Sequence, residues 1–258
     1  MNWSISDEVR STWDRRVPYY LRLRDHFALL IEKQALVSGK KLPSERELSD
    51  RFQITRVTVR QALMQLEAEG IIYRENRRGW FVSPPRFQYD PVANVSLTES
   101  MIAQGRTPGI TVLSAERMAA SAWESQHLGI DVGSQIFLIR RRRSIDGRAM
   151  VLEHLHIIAD RCPDLLDLPL DQSLTELMSE HYGITEHRPC INMRPTALAE
   201  PQAKALGVAT GTPCLYLSRI NYDQFDNVIE FDQEFWRHDA LEICVNLHDR
   251  PSPKSRTH

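Results

Sequence analysis

The sequence predicts an α+β protein in two parts: a helix–turn–helix with a two-stranded wing, then an antiparallel sheet carrying helices. Three observations predict it. Ser44 and Glu47 form S-x-x-E, the signature of a helix start, and a second apolar stripe follows after a three-residue break. Ser83 to Asn94, SPPRFQYDPVAN, holds three prolines in a dozen residues and resists both helix and central strand. Beyond it, strand-like runs return through short turns at Asp146-Gly147 and at Gln224–Asn227, the pattern of hairpins rather than crossovers.

The first part is read from Leu42 to Val82. A serine hydroxyl at Ser44 caps the third backbone N–H while Glu47 reaches back, so a helix starts there and carries Leu48 and Phe52 inward. Gln53, Ile54 and Thr55 break it. Thr55 caps a second helix running to about Glu69, whose Val59, Ala62, Leu63 and Leu66 fall at i, i+3, i+4 and i+7 on one face. Gly70 is its C-terminal stop. Ile71–Arg74 and Trp80–Val82 then flank a short hairpin. Arg56, Thr58 and Arg60 lie off the apolar face in the first two turns, where a recognition helix presents side chains to a major groove. Arginine can grip guanine O6 and N7 with two hydrogen bonds, and threonine can meet a phosphate or a thymine methyl. Arg46 on the preceding helix can brace the backbone. Arg74, Arg77 and Arg78 cluster at the wing, suited to phosphates or a minor groove. The plainer alternative is a solvated basic face on a helical hairpin.

LPSEREL at Leu42–Leu48, TRVTVRQAL at Thr55–Leu63 and LEAEGII at Leu66–Ile72 together resemble the winged helix-turn-helix domain of the GntR family of bacterial transcription regulators. The resemblance implies contacts to double-stranded DNA by Arg46, Thr55, Arg56, Thr58 and Arg60, and a wing contact by Asn76 and Arg77. The wing departs from the family pattern, with Arg77 and Trp80 where glycine and a small residue are common, so an arginine side chain is expected there instead of bare backbone.

The totals agree with a two-part chain. Its 258 residues suffice for two ordinary domains, and 42% hydrophobic with 26% charged residues implies packed cores. Net charge is −2, but residues 1–82 hold 15 Lys+Arg against 11 Asp+Glu, a balance of +4, and the rest holds 17 against 23, a balance of −6. A basic head on an acidic body fits a DNA-binding module joined to something else. Cys162, Cys190, Cys214 and Cys244 form no C-x-x-C and no zinc spacing with histidine, so reduced, mostly buried thiols are expected. No secretory leader is read, and no apolar run approaches the roughly 20 residues that span a bilayer. A cytoplasmic protein with no membrane partner is expected.

In order along the chain, residues 1–17 are a polar arm. Pro18 starts an amphipathic helix from about Tyr19 to Val37, on Leu21, Phe27, Leu30, Ile31 and Leu36, ended by Gly39. The winged domain spans 18–82, an ordered linker 83–95, the second domain 96–248 and a tail 249–258. In the second domain, Ser96 caps a helix over Leu97–Gln104. A strand at Ile110–Met118, a helix at Ser121–Leu128, and strands at Ile136–Ile145 and Arg148–Ile158 follow. After these come a helix at Ser173–Tyr182, a strand at Pro189–Thr196, a helix at Glu200–Leu206, and strands at Cys214–Asp223 and Val228–Arg237.

Alternation along IFLIRRRRSI puts Phe137, Ile139, Arg141 and Arg143 on one face and Arg140 and Arg142 on the other, with Glu153 among the inward residues of the partner strand. Arginines beside Phe and Ile are partly buried and need anions. Glu153 balances one, and the second is left for a ligand carboxylate, phosphate or phosphonate, unless the arginines form an internal salt-bridge network or a solvated face. Glu230, Asp232 and Glu234 share one face of a later strand, an acidic stripe able to hold an amine. His154 and His156 fall on the opposite face from Glu153.

LTESMIAQGRTPG at Leu97–Gly109, LGIDVGSQIFLIRRRRSIDG at Leu128–Gly147, Glu153, LGVATGTPCLYLSR at Leu206–Arg219 and NVIEFDQEFWRHD at Asn227–Asp239 resemble the UTRA effector domain of HutC-type GntR regulators, whose fold is similar to chorismate lyase. The resemblance implies that Arg141, Arg143, Ser96 and Ser173 bind the anionic group of a small metabolite, and that Glu153 and Glu230 bind its polar remainder. Ser96 and Ser173 each precede a helix, so backbone N–H groups would join their hydroxyls around an anion. NRRGWFVSPPRFQYDP, from wing to linker, is similar to regulators associated with phosphonate use. The expected protein is therefore a repressor, homodimeric on an inverted repeat, whose operator binding is controlled by 2-aminoethylphosphonate or a related phosphonate. A phosphorylated amino sugar or a histidine-pathway acid is the alternative effector. A lyase-like enzyme is a further alternative. Against it, no Ser/His/Asp set, metal spacing or cofactor loop is present, and no catalytic residue, metal or cofactor is assigned.

Overall fold

The computed structural model describes residues 16–75, 78–92, 95–185 and 190–245. They form two compact units, one running to Arg86 and taking in Leu198–Pro213, the other made of Phe87–Ala197 and the chain from Cys214 onward.

In the first unit, α1 (Tyr19–Glu32) begins at Pro18, whose carbonyl accepts from Leu21 N and Arg22 N at 3.0 and 3.3 Å. The expected continuation to Val37 does not occur. Gln34 takes a left-handed backbone (φ 56), and Leu36 N bonds back to Leu30 O at 3.1 Å. Leu36 is still buried, but by a turn and not by helical periodicity, which is why its spacing suggested a longer helix. The capping box that starts α2 (Glu45–Phe52) is complete. Glu47 N donates to Ser44 Oγ at 3.2 Å, and Ser44 N to Glu47 Oε2 at 2.7 Å. Gln53 ends α2 in a left-handed conformation, and Thr55 caps α3 (Arg56–Ala68), accepting from Thr58 N. Leu23, Phe27, Leu48, Phe52, Val59, Leu63 and Leu66 close the core, with Phe27 and Phe52 edge to face at 6.1 Å. The wing, β1 (Ile72–Glu75) and β2 (Gly79–Val82), pairs antiparallel and adds Ile72, Trp80 and Val82 to that core.

In the second unit, a six-stranded sheet runs in the order β4 (Pro108–Ala119), β5 (Gln135–Ile145), β6 (Arg148–Ile158), β9 (Val228–Arg237), β8 (Pro213–Tyr222), β7 (Cys190–Ala197). The first five strands pair antiparallel. Asp146 and Gly147 join β5 to β6 with positive φ at both positions (51 and 78), the left-handed pair that a tight hairpin needs. One sheet face packs Phe137, Ile139, Leu155 and Ile157 against Leu174, Leu177 and Met178 of α6 (Leu174–Tyr182). On the other, α5 (Ala122–Leu128) buries Leu128 with Ile136 and Phe231. Two short strands escaped the sequence reading: β3 (Phe87–Tyr89), inside the expected linker, pairs parallel with β10 (Leu241–Ile243). With α4 (Leu97–Ala103) they pack Phe87, Tyr89 and Met101 around Trp236. The thiols also differ from expectation: Cys162 and Cys214 are buried, but Cys190 and Cys244 are exposed.

The cap at Ser44 sets where α2 begins. Ser44→Ala should lower stability by about 1 kcal/mol, the usual worth of an N-cap hydroxyl. The denaturation midpoint of the winged unit, followed by amide exchange in α2, checks this. An unshifted midpoint would show that packing alone fixes the helix start.

Candidate functional site

Of the residues expected to meet DNA, Arg46 lies on α2, and Thr55, Arg56, Thr58 and Arg60 lie at the leading end of α3. Arg56 and Arg60 are exposed on α3, and Thr55 caps it with its hydroxyl 2.9 Å from that of Thr58. Arg60 is already oriented: its Nη2 lies 2.7 Å from Glu45 Oε2, across the turn between the two helices. Sequence spacing did not reveal this pair, because Glu45 reads as an ordinary acidic first-turn residue. Arg46 stands exposed on α2, 3.8 Å from Asp50. Beside them Arg74 lies over the Trp80 ring at 5.6 Å, and Arg78 pairs with Glu75. Asn76 and Arg77 lie outside the described residues.

In the sheet domain, strand register builds a second site. Arg141 opposes Glu153 on β6, which opposes Glu234 on β9, which opposes Leu217 on β8. The next row along is Ile139, Leu155, Asp232 and Arg219, and the next Phe137, Ile157, Glu230 and Asn221. Cross-strand partners share a face. So Arg141, Arg143, Glu153, Glu230, Asp232, Glu234 and Arg219 all line one cavity of about 100 Å³, as do Ser96, Ser173 and Tyr89.

The charges inside are segregated. At one end Arg141 donates from Nε to Glu153 Oε2 at 2.9 Å, and from Nη1 to the carbonyls of Gln172 and Leu170 at 3.1 and 3.3 Å. Arg143 reaches the other oxygen of the same carboxylate at 3.3 Å and donates to Thr98 Oγ1 at 2.6 Å. Glu153 is expected from sequence to balance one arginine, but it serves both. Two guanidiniums thus share one carboxylate, all three 3–4% exposed, and Arg143 Nε has no hydrogen-bond partner among the described residues. Ser96 and Ser173 accept cap bonds from Glu99 N and Glu176 N, which leaves their O–H groups to donate.

The other end is acidic. Arg219 pairs with Glu234, donates to the Tyr89 hydroxyl at 2.7 Å and stands 3.8 Å from Asp232. Glu230 accepts from Asn221 at 3.2 Å, and Asp232 Oδ1 has no partner among the described residues. Burial pushes the Asp232 carboxyl well above the usual range, and the Glu234 carboxylate adds to it, outweighing Arg219. Burial likewise raises Glu230, against the Asn221 hydrogen bond and the charges of Arg219 and Arg141. Burial also opposes ionisation of Glu153, but the Arg141 and Arg143 guanidiniums outweigh it and hold that carboxyl low. Arg219, Asn221, Tyr89 and Thr98 were missed from sequence. Leu215, Leu217, Arg219 and Asn221 alternate on β8 as Arg141 and Arg143 do on β5, so the same reasoning applied there would have found Arg219.

The opposite sheet face has other duties. Arg140 bonds Ser114 and Glu116. His156 is buried, its Nδ1 3.3 Å from Phe231 O and its ring 5.3 Å from that of Trp123. Burial depresses His154 to about 4, so it is a neutral packing residue.

A capped helix–turn–helix with a basic leading turn, carried on a separate sheet domain with a charged internal pocket, defines a class of DNA-binding regulator with its own receiving domain. Comparison with known proteins gives the family. The model of the gntR family of bacterial regulatory proteins matches residues 20–82, and that of the UTRA domain matches residues 103–242. This chain belongs to the GntR family, in its HutC-type branch, and is a transcriptional regulator, not an enzyme. It is 30% identical over 236 residues to the HTH-type transcriptional repressor NagR of Bacillus subtilis, covering 92% of this chain and 97% of that one. To the repressor PhnF of Mycolicibacterium smegmatis it is 30% identical over 238 residues, covering 90% and 96%. The crystal structure of PhnF from Mycobacterium smegmatis superposes with a TM-score of 0.62 at 28% identity, over 88% of this chain and 99% of that one. Among the described residues no helix is long and apolar enough to cross a membrane.

The raised carboxyl of Asp232 gives a pH signature. An unfolded aspartate titrates near about 3.9. The folded protein keeps the Asp232 proton above that pH, so stability falls as pH climbs from there to the folded value. Asp232→Asn removes that loss. Its melting temperature should exceed the wild-type value by a margin that widens as pH rises above about 4, the unfolded value. Parallel melting curves across that range would contradict the buried, uncompensated carboxylate.

Proposed function

We propose that this protein is a cytoplasmic repressor that binds an inverted-repeat operator as a homodimer and is released by a small anionic effector. Operator contacts are assigned to Arg46, Thr55, Arg56, Thr58 and Arg60, with Asn76 and Arg77 at the wing. The effector's anion is assigned to Arg141, Arg143, Ser96 and Ser173, and its polar remainder to Glu153 and Glu230. Boundaries at 18–82 for the head, 83–95 for the linker and 96–248 for the effector domain follow the same reading. One observation carries the effector assignment: Arg143, a buried guanidinium that shares the Glu153 carboxylate with Arg141, lines the cavity, and its Nε has no partner among the described residues. A buried cation in that state calls for an anion. A dimer is favoured because one winged head reads too few base pairs for a useful specificity ratio. The effector favoured by the wing-to-linker resemblance is 2-aminoethylphosphonate. A phosphorylated amino sugar or a histidine-pathway acid would place its anion at the same end.

Regulation on this reading needs two sites and two states with different affinities. Fluorescence anisotropy on DNA selected by the protein from a random duplex pool, with 2-aminoethylphosphonate added, separates them. Arg56→Ala should weaken operator binding by about 1–3 kcal/mol, the worth of a bidentate base contact. Arg143→Ala should keep operator affinity but lose release by the phosphonate. Arg140→Ala, on the opposite sheet face, should behave as wild type. Equal loss of release in Arg140→Ala and Arg143→Ala would remove the effector from this pocket.

A further inference from the structure

The acidic end of the pocket has more carboxylate than cation. Glu230, Asp232 and Glu234 stand on one face of β9, each less than a tenth exposed. Arg219 is committed to Glu234, which also accepts from Trp236 Nε1 at 2.5 Å. Two of the three arginines in the lining sit on Glu153. Asp232 is left with Arg219 at 3.8 Å and a buried Oδ1 unpartnered among the described residues, and Glu230 with a neutral amide. The groups facing this end are Arg141 from β5, Glu153 from β6, Arg219 from β8, Tyr89 from β3, Cys162 from the turn after β6, and Asp90 at the rim. Among the described residues none adds a free cation: Arg141 is held by Glu153 and two carbonyls, Arg219 by Glu234 and the Tyr89 hydroxyl with only its Nε left over, and burial pushes the Cys162 thiol up to about 12.

We propose that Asp232, with Glu230, forms a subsite for a primary ammonium group, so that the effector is a zwitterion lying along the pocket with its anion toward Arg143. The inference rests on the anion assignment above and adds the opposite end. It follows from electrostatics. A buried carboxylate is stable only when neutralised by a proton or by a cation. In the ligand-free protein the proton serves. An entering ammonium takes its place, the proton leaves to solvent, and the ammonium donates hydrogen bonds to Asp232 and Glu230. An effector with a methyl in place of the ammonium gains nothing at this end.

Isothermal titration calorimetry of the full chain with two isosteric probes tests this: 2-aminoethylphosphonate and propylphosphonate, which carries methyl where the first carries ammonium. Wild type should bind the amine at least about tenfold more tightly, the scale of one charge-assisted hydrogen bond. Its binding should release more protons than that of propylphosphonate, by the proton that leaves the Asp232 carboxyl, as read from how each binding enthalpy varies with the buffer's ionisation enthalpy. Asp232→Asn should erase the preference while leaving propylphosphonate affinity unchanged or higher, and Glu230→Gln should reduce the preference, providing a second variant if the first folds poorly. Equal affinity of both probes for wild type would overturn the ammonium subsite while leaving the anion site standing. Failure of both probes to bind would overturn the two together. Equal loss of both probes in Asp232→Asn and Glu230→Gln would make these residues structural, and would also overturn it.

Discussion

Two guanidiniums, Arg141 and Arg143, are buried on one carboxylate, Glu153, and the second domain is arranged around that imbalance. Removing one partner from such a group costs about 3–5 kcal/mol, because a charge is left without its counter-ion. The fold therefore surrounds the arginines with neutral acceptors: the Leu170 and Gln172 carbonyls for Arg141 and the Thr98 hydroxyl for Arg143. These come from the loop before α6 and from α4, so both segments are tied to the sheet through the same two side chains. Arg143 Nε is left without a partner among the described residues, on a side chain that lines the cavity. What the chain does not supply there, a ligand can.

The sheet makes the converse arrangement a few residues away. Antiparallel register with a period of two brings Glu230, Asp232 and Glu234 onto the face that Arg141 and Arg143 occupy, two strands over. Positive and negative excess thus face each other across a small volume in low dielectric, where each is worth more than in water. Such a pocket is a local loss of stability, and the apolar packing beneath it offsets that loss. Leu155, Ile157 and Phe137 bury against α6 on one flank, and Trp236 with Phe87, Tyr89 and Met101 on the other. The head follows a different logic. Its helices are positioned by hydroxyl caps at Ser44 and Thr55, and the Arg60–Glu45 pair spans the turn between them, so the leading turn of α3 is held before any DNA arrives.

Local chemistry was legible in the sequence where it acts through near neighbours. Ser44-x-x-Glu47, Thr55, Ser96 and Ser173 all cap as their spacing implied, and Asp146-Gly147 turns β5 into β6. Alternation was enough to place Phe137, Ile139, Arg141 and Arg143 on one face. What depends on distant partners was not legible. Nothing local marks Phe87–Tyr89 as a strand, since its partner, Leu241–Ile243, is some 150 residues on and parallel. Leu36 keeps helical spacing while the chain leaves the helix at Glu32, because a left-handed Gln34 buries it by another route. Glu153 serving both arginines, Arg219 claiming Glu234 and Thr98 meeting Arg143 are decisions of tertiary packing, visible only once the strands are in register.

Regulation through this pocket requires that its positive end receive an anion. A crystal structure of the full chain grown with 2-aminoethylphosphonate measures that directly. The phosphonate oxygens are expected within about 3 Å of Arg143 and of the Ser96 and Ser173 hydroxyls, the range of an ordinary hydrogen bond. Density for the phosphonate at any other place, with the Arg143 side chain left without an anion, would contradict it.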